Sequence, residues 1–254
     1  MKLAVVLTKV TDELLRIFDG AQRVAVLTGA GISAESGVPT FRGGGDTEIW
    51  TWRGRHITEL SSAELMATDM KLVWEWFDYR RGMLTSVQPN AGHYALAEWE
   101  RRFSEFTLIT QNIDDLHRVA GSLNLLEVHG NIWRARCLRC RSVFDVRESP
   151  LEQNPPLCFV CGAAARPDVV LFGEQLPEAI FERAEEASSR ADLFFVIGTS
   201  AVVYPAASLP VAAKQSGARV IEINPEKTDI SFFADFTVLG KAGEILPQFI
   251  REQG

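Results

Sequence analysis

The sequence has little that would draw it into a membrane or onto a polyanion. No apolar run among its 254 residues is long enough to span a bilayer. The opening, Met1 to Val10, holds a five-residue apolar run before Thr8 and Lys9, too short for the core of a signal peptide. Basic residues are not in excess: 26 Lys and Arg stand against 33 Asp and Glu, a net charge of −7. That balance excludes a nucleic-acid binder working through bulk electrostatics, since phosphate needs a basic face. There is no internal repeat and no low-complexity tract. Cysteine is scarce, with four in the chain. What remains is ordinary globular composition, 46% hydrophobic and 23% charged, long enough for one large domain or two small ones.

The few cysteines are not scattered. They form two pairs, Cys137-x-x-Cys140 and Cys158-x-x-Cys161, with 17 residues between the pairs. This is the ligand type and spacing of a zinc ribbon, in which each C-x-x-C turn aims two thiolates at one point. Four protein ligands leave no open position, so the metal would be structural and the chemistry would lie elsewhere. Two disulfides or four buried free thiols are the alternative readings. Thiols kept for metal point to a reducing, cytoplasmic compartment.

Apolar runs then alternate with helical patterns. Thr11 to Gly20 has apolar residues at Leu14, Leu15, Ile17 and Phe18, as a helix requires. Strands are predicted over 23–28, 106–110, 193–197, 219–223 and 236–239, and helices over 90–103, 177–190 and 205–216. Such alternation predicts an α/β protein with a doubly wound parallel sheet, whose ligands bind beyond the carboxyl ends of the strands. Two stretches break the pattern. Residues 42–88 look helical and crowd Trp50, Trp52, Trp74, Trp76 and Phe77 together, while 134–168 carries the cysteines. Both read as insertions that build a smaller lobe. Gly43-Gly44-Gly45 reads as a flexible loop that moves over a ligand.

Gly29-Ala30-Gly31-Ile32-Ser33 follows the first of these strands and leads into a helix, where glycines let backbone approach a pyrophosphate. The spacing is not G-x-G-x-x-G, and no acid marks the end of the second strand. A standard dehydrogenase is a poor fit, and a tight turn without a ligand is the plain alternative.

Further motifs join this one. Gly37-Val38-Pro39-Thr40-Phe41-Arg42-Gly43, Thr110-Gln111-Asn112-Ile113-Asp114, His129-Gly130, Arg166-Pro167-Asp168-Val169-Val170, Phe172-Gly173-Glu174, Gly198-Thr199-Ser200 and Asn224-Pro225-Glu226 follow in order around the four cysteines. Together they resemble the sirtuin family of NAD-dependent protein deacylases over nearly the whole chain. The resemblance implies a Rossmann-like lobe over about 1–41, 89–133 and 169–254, with a helical insertion at 42–88 and a zinc-binding insertion at 134–168. It implies NAD as co-substrate, one structural zinc, and acylated-lysine proteins or peptides as substrates in the cleft between lobes. NAD would lie against Gly29, Ala30, Gly31, Ser33, Phe41, Arg42, Gln111, Asn112, Ile113, Asp114, Gly198, Thr199, Ser200, Asn224, Glu226 and Ala242. Phe41 would shield the reacting sugar, and Asn112 and Asp114 would hold the nicotinamide end. His129 would be the base, its imidazole titrating near neutrality. Asp114-Asp115 before Leu116 also reads as a helix cap. His56, His93 and His117 read as core or surface histidines.

Val169, Phe172, Gly173, Glu174 and Val203 would clamp the substrate as an added strand. The family branch that removes acidic acyl groups carries Tyr-x-x-Arg on the small-lobe helix. Here Arg80 is in place and Phe77 stands where the tyrosine would be, so deacetylation is expected, with desuccinylation or demalonylation open. Arg80 as a solvated surface charge is the plain alternative. Transfer of ADP-ribose to another acceptor, or a non-enzymatic zinc-ribbon binding protein, are the competing functions.

Overall fold

A computed structural model describes residues 5–39, 51–201 and 203–250. Phe41, Arg42, the Gly43-Gly44-Gly45 run and Trp50 lie outside the described residues.

The centre of the molecule is a seven-stranded sheet in which every neighbouring pair is parallel. Its spatial order is Val5–Leu7, Phe236–Leu239, Arg219–Asn224, Leu193–Ile197, Arg23–Thr28, Glu105–Thr110 and Leu125–Glu127. Leaving Val5–Leu7 aside, the chain starts at Arg23–Thr28 and winds outward to one edge. It then returns to Leu193–Ile197 and winds to the other, which is the doubly wound order of dinucleotide-binding folds. The direction of winding reverses between Arg23–Thr28 and Leu193–Ile197, so a crevice opens between the loops that follow them.

Both faces of the sheet are covered, which is why the inner strands are continuous apolar runs. On one face Phe18, Trp99, Phe103, Phe195 and Phe249 form a cluster of tilted and edge-on rings beneath the helices Asp12–Gly20 and Ala91–Arg102. On the other, Phe194, Val196, Leu209 and Ala213 pack with Ala184 of the helix Glu178–Arg190. Thr11 caps the first helix through Leu14 N, and Asn90 and His93 cap Ala91–Arg102 reciprocally, as their three-residue spacing permits.

The stretch read as helical holds a small hairpin, Thr51–Trp52 with Arg55–His56, then the helices Ile57–Leu60, Ala63–Thr68 and Met70–Leu84. The cysteine-bearing stretch folds into a three-stranded antiparallel sheet, Val143–Asp145, Gly130–Cys137 and Ala165–Val169. The two are fastened to each other. Trp74 donates its indole N–H to Ala165 O at 2.9 Å and packs with Ala135 and Val146. Arg81, fully buried, pairs with Asp78 at 3.0 Å, and Asp78 also accepts from Ser149 Oγ and Leu151 N. A ladder of ion pairs, Arg118–Glu127–Arg134–Asp168–Arg136, ties the ribbon to the sheet edge.

Candidate active site at the sheet switch point

The crevice is made by two loops that approach each other very closely. Gly31 N donates to Gly198 O at 2.7 Å, and a Cβ at Gly29 would stand 2.5 Å from Thr199 Cβ. Gly198 adopts a left-handed φ of 58°, and a Cβ there would collide with Ile32 N. These glycines are therefore required by loop-on-loop packing before any ligand is considered. With no side chains between them, they leave bare backbone along the mouth of the crevice.

The third strand end brings the polar side chains. Gln111 donates from Nε2 to Thr199 Oγ1 at 3.0 Å, and Asn224 donates to Thr199 O at 3.1 Å. Gln111, Thr199 and Asn224, predicted from three separate motifs, thus meet in one hydrogen-bonded row. Asn112 donates from Nδ2 to Gly29 O at 3.0 Å and to Ser33 Oγ at 3.1 Å. The Ser33 hydroxyl donates in turn to Asp114 Oδ2 at 2.7 Å. Ser33 is the hub that fixes Asn112 and Asp114 relative to each other. Asp114 also accepts from Leu116 N at 3.0 Å, so the cap and the pocket are two uses of one carboxylate. Burial pushes its pKa up, opposed by its hydrogen bonds and by the charge of Arg80.

His129 sits on the chain just beyond the strand Leu125–Glu127, its ring half-buried. Its Nδ1 lies 2.8 Å from Gln111 O. A carbonyl only accepts, so Nδ1 carries the proton and Nε2 is left as the basic nitrogen. Burial lowers the pKa of His129, and the bond to Gln111 partly offsets this. His93 and His117 are buried as expected, yet they lie directly behind the polar row. His93 Nδ1 accepts from Asn90 N, and Nε2 faces Ser33 Oγ at 3.4 Å. His117 Nε2 lies 2.9 Å from Thr28 Oγ1, and the two rings pack 4.8 Å apart. His56 is exposed and caps the helix Ile57–Leu60.

The remaining predicted positions spread around this row. Ala30 opens the short helix Ala30–Ala34, and Ile113 packs toward the small-lobe core. Ser200 is half-buried and Glu226 exposed. Ala242 is buried in the main core beside the helix Ala91–Arg102. On the substrate side, Phe172 is half exposed, but its N–H goes to Ser61 O and its carbonyl accepts from Ala63 N. Glu174 is held by both Arg166 Nη atoms and by Leu171 N, so its carboxylate shapes the loop. Gly173, at φ 90°, keeps an N–H with no partner among the described residues. Val169 lies in the small-lobe core, and Val203 is exposed beside Val202, which is not described.

Phe77 is 2% exposed and packs with Trp76, Ile132 and Leu171. Arg80 is half-buried, its guanidinium 5.8 Å from the Trp76 ring centre, and burial lowers its pKa to about 10 against the pull of Asp114. A solvated surface charge does not describe it. Tyr79, 40% exposed, stacks on Trp76 with Trp52 tilted beside it.

The four cysteine sulfurs lie within 4.8 Å of one another, with Cys137–Cys161 at 3.5 Å and Cys140–Cys158 at 3.6 Å. A disulfide needs about 2.05 Å, so none is formed and all four are free thiols. Thiolates around one zinc at about 2.3 Å would stand about 3.8 Å apart, which these sulfurs fit closely. The N–H groups of Arg139 and Cys140 already donate to Cys137 Sγ, as second partners to a metal-bound thiolate do.

A doubly wound sheet with an amide–carboxylate pair at its switch point, beside a four-cysteine ribbon, defines a dinucleotide-using α/β class with a structural metal. Residues 29–205 match the model of the Sir2 family. The chain is 48% identical over 232 residues to NAD-dependent protein deacylase 2 of Pyrobaculum aerophilum, covering 91% of each. It superposes on the crystal structure of a Sir2 homolog–NAD complex with a TM-score of 0.87 at 42% identity, covering 98% of this chain and 94% of that one. A Sir2 complex with a p53 peptide and NAD+ gives a TM-score of 0.80 at 31% identity, with 93% and 95% covered. The chain belongs to the Sir2 family.

Proposed function

We propose that this chain is an NAD-dependent protein-lysine deacylase that releases nicotinamide and O-acyl-ADP-ribose. The observation that carries this reading is the joining of Asn112, Ser33 and Asp114 in one hydrogen-bonded set, at the loop whose Gln111 carbonyl orients His129. The deacylase name of the Pyrobaculum relative and the NAD of the superposed complex support it.

The backbone at Gly29, Ala30, Gly31 and Gly198, brought together by loop contacts that a Cβ at any of the three glycines would break, fits a dinucleotide pyrophosphate. Gln111, Thr199, Ser200 and Asn224 hold the ribose and adenosine side, with Glu226 and Ala242 at its far end. When bound, NAD supplies an anomeric carbon that the acyl oxygen attacks as nicotinamide departs. Asn112 and Asp114 orient the carboxamide end, and Ile113 walls it from the small lobe. Phe41 and Arg42 are assigned to shielding the sugar and to the phosphates. His129 accepts a ribose hydroxyl proton at Nε2, its ring held by the Nδ1–H bond to Gln111. Cys137, Cys140, Cys158 and Cys161 hold zinc as a cross-link that supplies no chemistry to the reaction.

Acylated-lysine proteins or peptides enter between Phe172-Gly173-Glu174 and Val203, with the N–H of Gly173, unpartnered among the described residues, offered to the peptide and Val169 behind it. Arg80 is the group that would take a distal carboxylate, so succinyl- and malonyl-lysine join acetyl-lysine as candidate substrates. The lobes are read as 1–41, 89–133 and 169–254 for the nucleotide, with insertions at 42–88 and 134–168. The test is mass spectrometry of NAD incubated with acetyl-, malonyl- and succinyl-lysine peptides. Stoichiometric nicotinamide and O-acyl-ADP-ribose support the reading. Nicotinamide release with the acyl group retained on lysine would instead indicate ADP-ribosyl transfer.

A further inference from the structure

Asp115 is the residue after Asp114, and its backbone is left-handed at φ 74° and ψ 0°. A non-glycine residue is strained in that region and stays there only where its surroundings hold it. The surroundings here are specific. Asp115 is 6% exposed, and its carboxylate accepts from Asn131 Nδ2 at 2.7 Å and from Arg147 Nη1 at 2.8 Å, with Arg118 Nε at 3.7 Å. Asn131 is fixed by a second bond to Glu127. Arg147 comes from the cysteine-bearing insertion, and its guanidinium carbon lies 5.8 Å from the Trp133 ring centre. The same Trp133 donates its indole N–H to Asp114 O at 3.1 Å. The peptide unit between Asp114 and Asp115 is therefore gripped on its carbonyl by Trp133 and on the following side chain by Arg147 and Asn131.

The left-handed turn is what lets one carboxylate serve two elements. It brings Leu116 N back to Asp114 Oδ1 while Oδ2 reaches Ser33. A residue at 115 relaxing to an ordinary negative φ would rotate the chain and break one of those bonds.

We propose that Asp115 is a positioning residue for the reaction. Its left-handed backbone aims Asp114, and Arg147 of the zinc-ribbon insertion is the group that keeps a non-glycine residue in that pose. The inference rests on the proposed function in that Asp114 must serve the nicotinamide end. It makes the ribbon's contribution to catalysis a matter of one ion pair and one indole, separate from metal chemistry.

A double-mutant cycle on the zinc-loaded full chain tests it, reading kcat/KM for NAD with an acetyl-lysine peptide, alongside thermal stability and zinc content. Asp115→Ala keeps the strain and removes the clamp, so kcat/KM should fall about tenfold or more, in line with the strain of such a residue. Asp115→Gly adopts the same backbone without strain and should recover most of that loss. Arg147→Met should lower kcat/KM several-fold in the wild-type background and have little effect in the Asp115→Gly background. Arg147→Lys should lie between. If Asp115→Gly is as impaired as Asp115→Ala, or Arg147→Met costs the same in both backgrounds, the proposal is overturned. A wild-type chain that releases no nicotinamide would overturn the functional reading itself, and an active wild type with an additive cycle would overturn this inference alone.

Discussion

At the scale of single residues, His129 and Arg80 carry the sharpest consequences. His129→Ala should lower kcat by about a hundredfold or more, the usual contribution of a general base, while zinc content and NAD affinity hold. Burial keeps the His129 pKa below 6.5, so its neutral, proton-accepting form persists into mildly acidic solution. The acid limb of kcat/KM should accordingly lie below pH 6.5, and a limb centred above that value would remove His129 from the role. Arg80 is half-buried and burial lowers its pKa to about 10, so a carboxylate arriving beside it meets a partly desolvated charge. Arg80→Met should therefore reduce succinyl-lysine turnover far more than acetyl-lysine turnover. Phe77→Tyr should raise the succinyl rate if the added hydroxyl finds the acyl carboxylate, a gain of about 1 kcal/mol, or roughly five- to tenfold in kcat/KM. Equal losses on both substrates in Arg80→Met would leave Arg80 as a support of the fold.

At the scale of elements, the strand ends were readable because buried parallel strands are apolar runs closed by polar loops. Five strands, the helices between them and the four-sulfur cluster could be placed from residue type and spacing. The strands Val5–Leu7 and Leu125–Glu127 could not, being three residues each at the two edges of the sheet. Neither could the partnerships that make the site. Ser33 reads as a residue against NAD, with nothing to mark it as the join between Asn112 and Asp114, and Asp115 reads as a cap although its backbone is left-handed. Side-chain pairing at a distance of 80 residues leaves no mark in local pattern, whereas the cap that Asp114 makes to Leu116 N, two residues on, was local enough to be legible. The two-loop contact at Gly198 yields a direct test. Gly198→Ala places a Cβ against Ile32 N in a left-handed residue, so NAD binding by calorimetry should be lost while zinc stays at one per chain. Asp78→Ala strands the buried Arg81 guanidinium between the helix Met70–Leu84 and the 146–151 segment. It should cost about 3 kcal/mol or more in urea unfolding, and Arg81→Met should cost less, because it removes the charge as well as the pair.

At the scale of the whole molecule, stability should fall on the acid side. His93 has its pKa lowered from 6.5 to about 4 by burial, and His117 is lowered well below 6.5, by burial and then by His93. Each is neutral in the folded chain and protonates readily when unfolded. Their contribution is complete above pH 6.5 and is lost as pH falls below it, for His93 through the window down to about 4. For His93 alone the loss is on the order of 3 kcal/mol. The melting temperature should drop steadily across that window, and His93→Gln should flatten the slope; an unchanged slope would place the acid sensitivity elsewhere.

Among the described residues Val5–Leu7 pairs with Phe236–Leu239 and with no other strand, and Val10 N reaches Gln248 Oε1 nearby. Its partner lies about 230 residues further along the sequence, so it has no edge to join until that segment has been made. Until then its two valines wait on an unpaired edge, and even afterwards both remain over 40% exposed. Val5–Leu7 must thus wait for its place in the sheet, and a chain released short of residue 236 would present it, unsheltered, to whatever edge it met next.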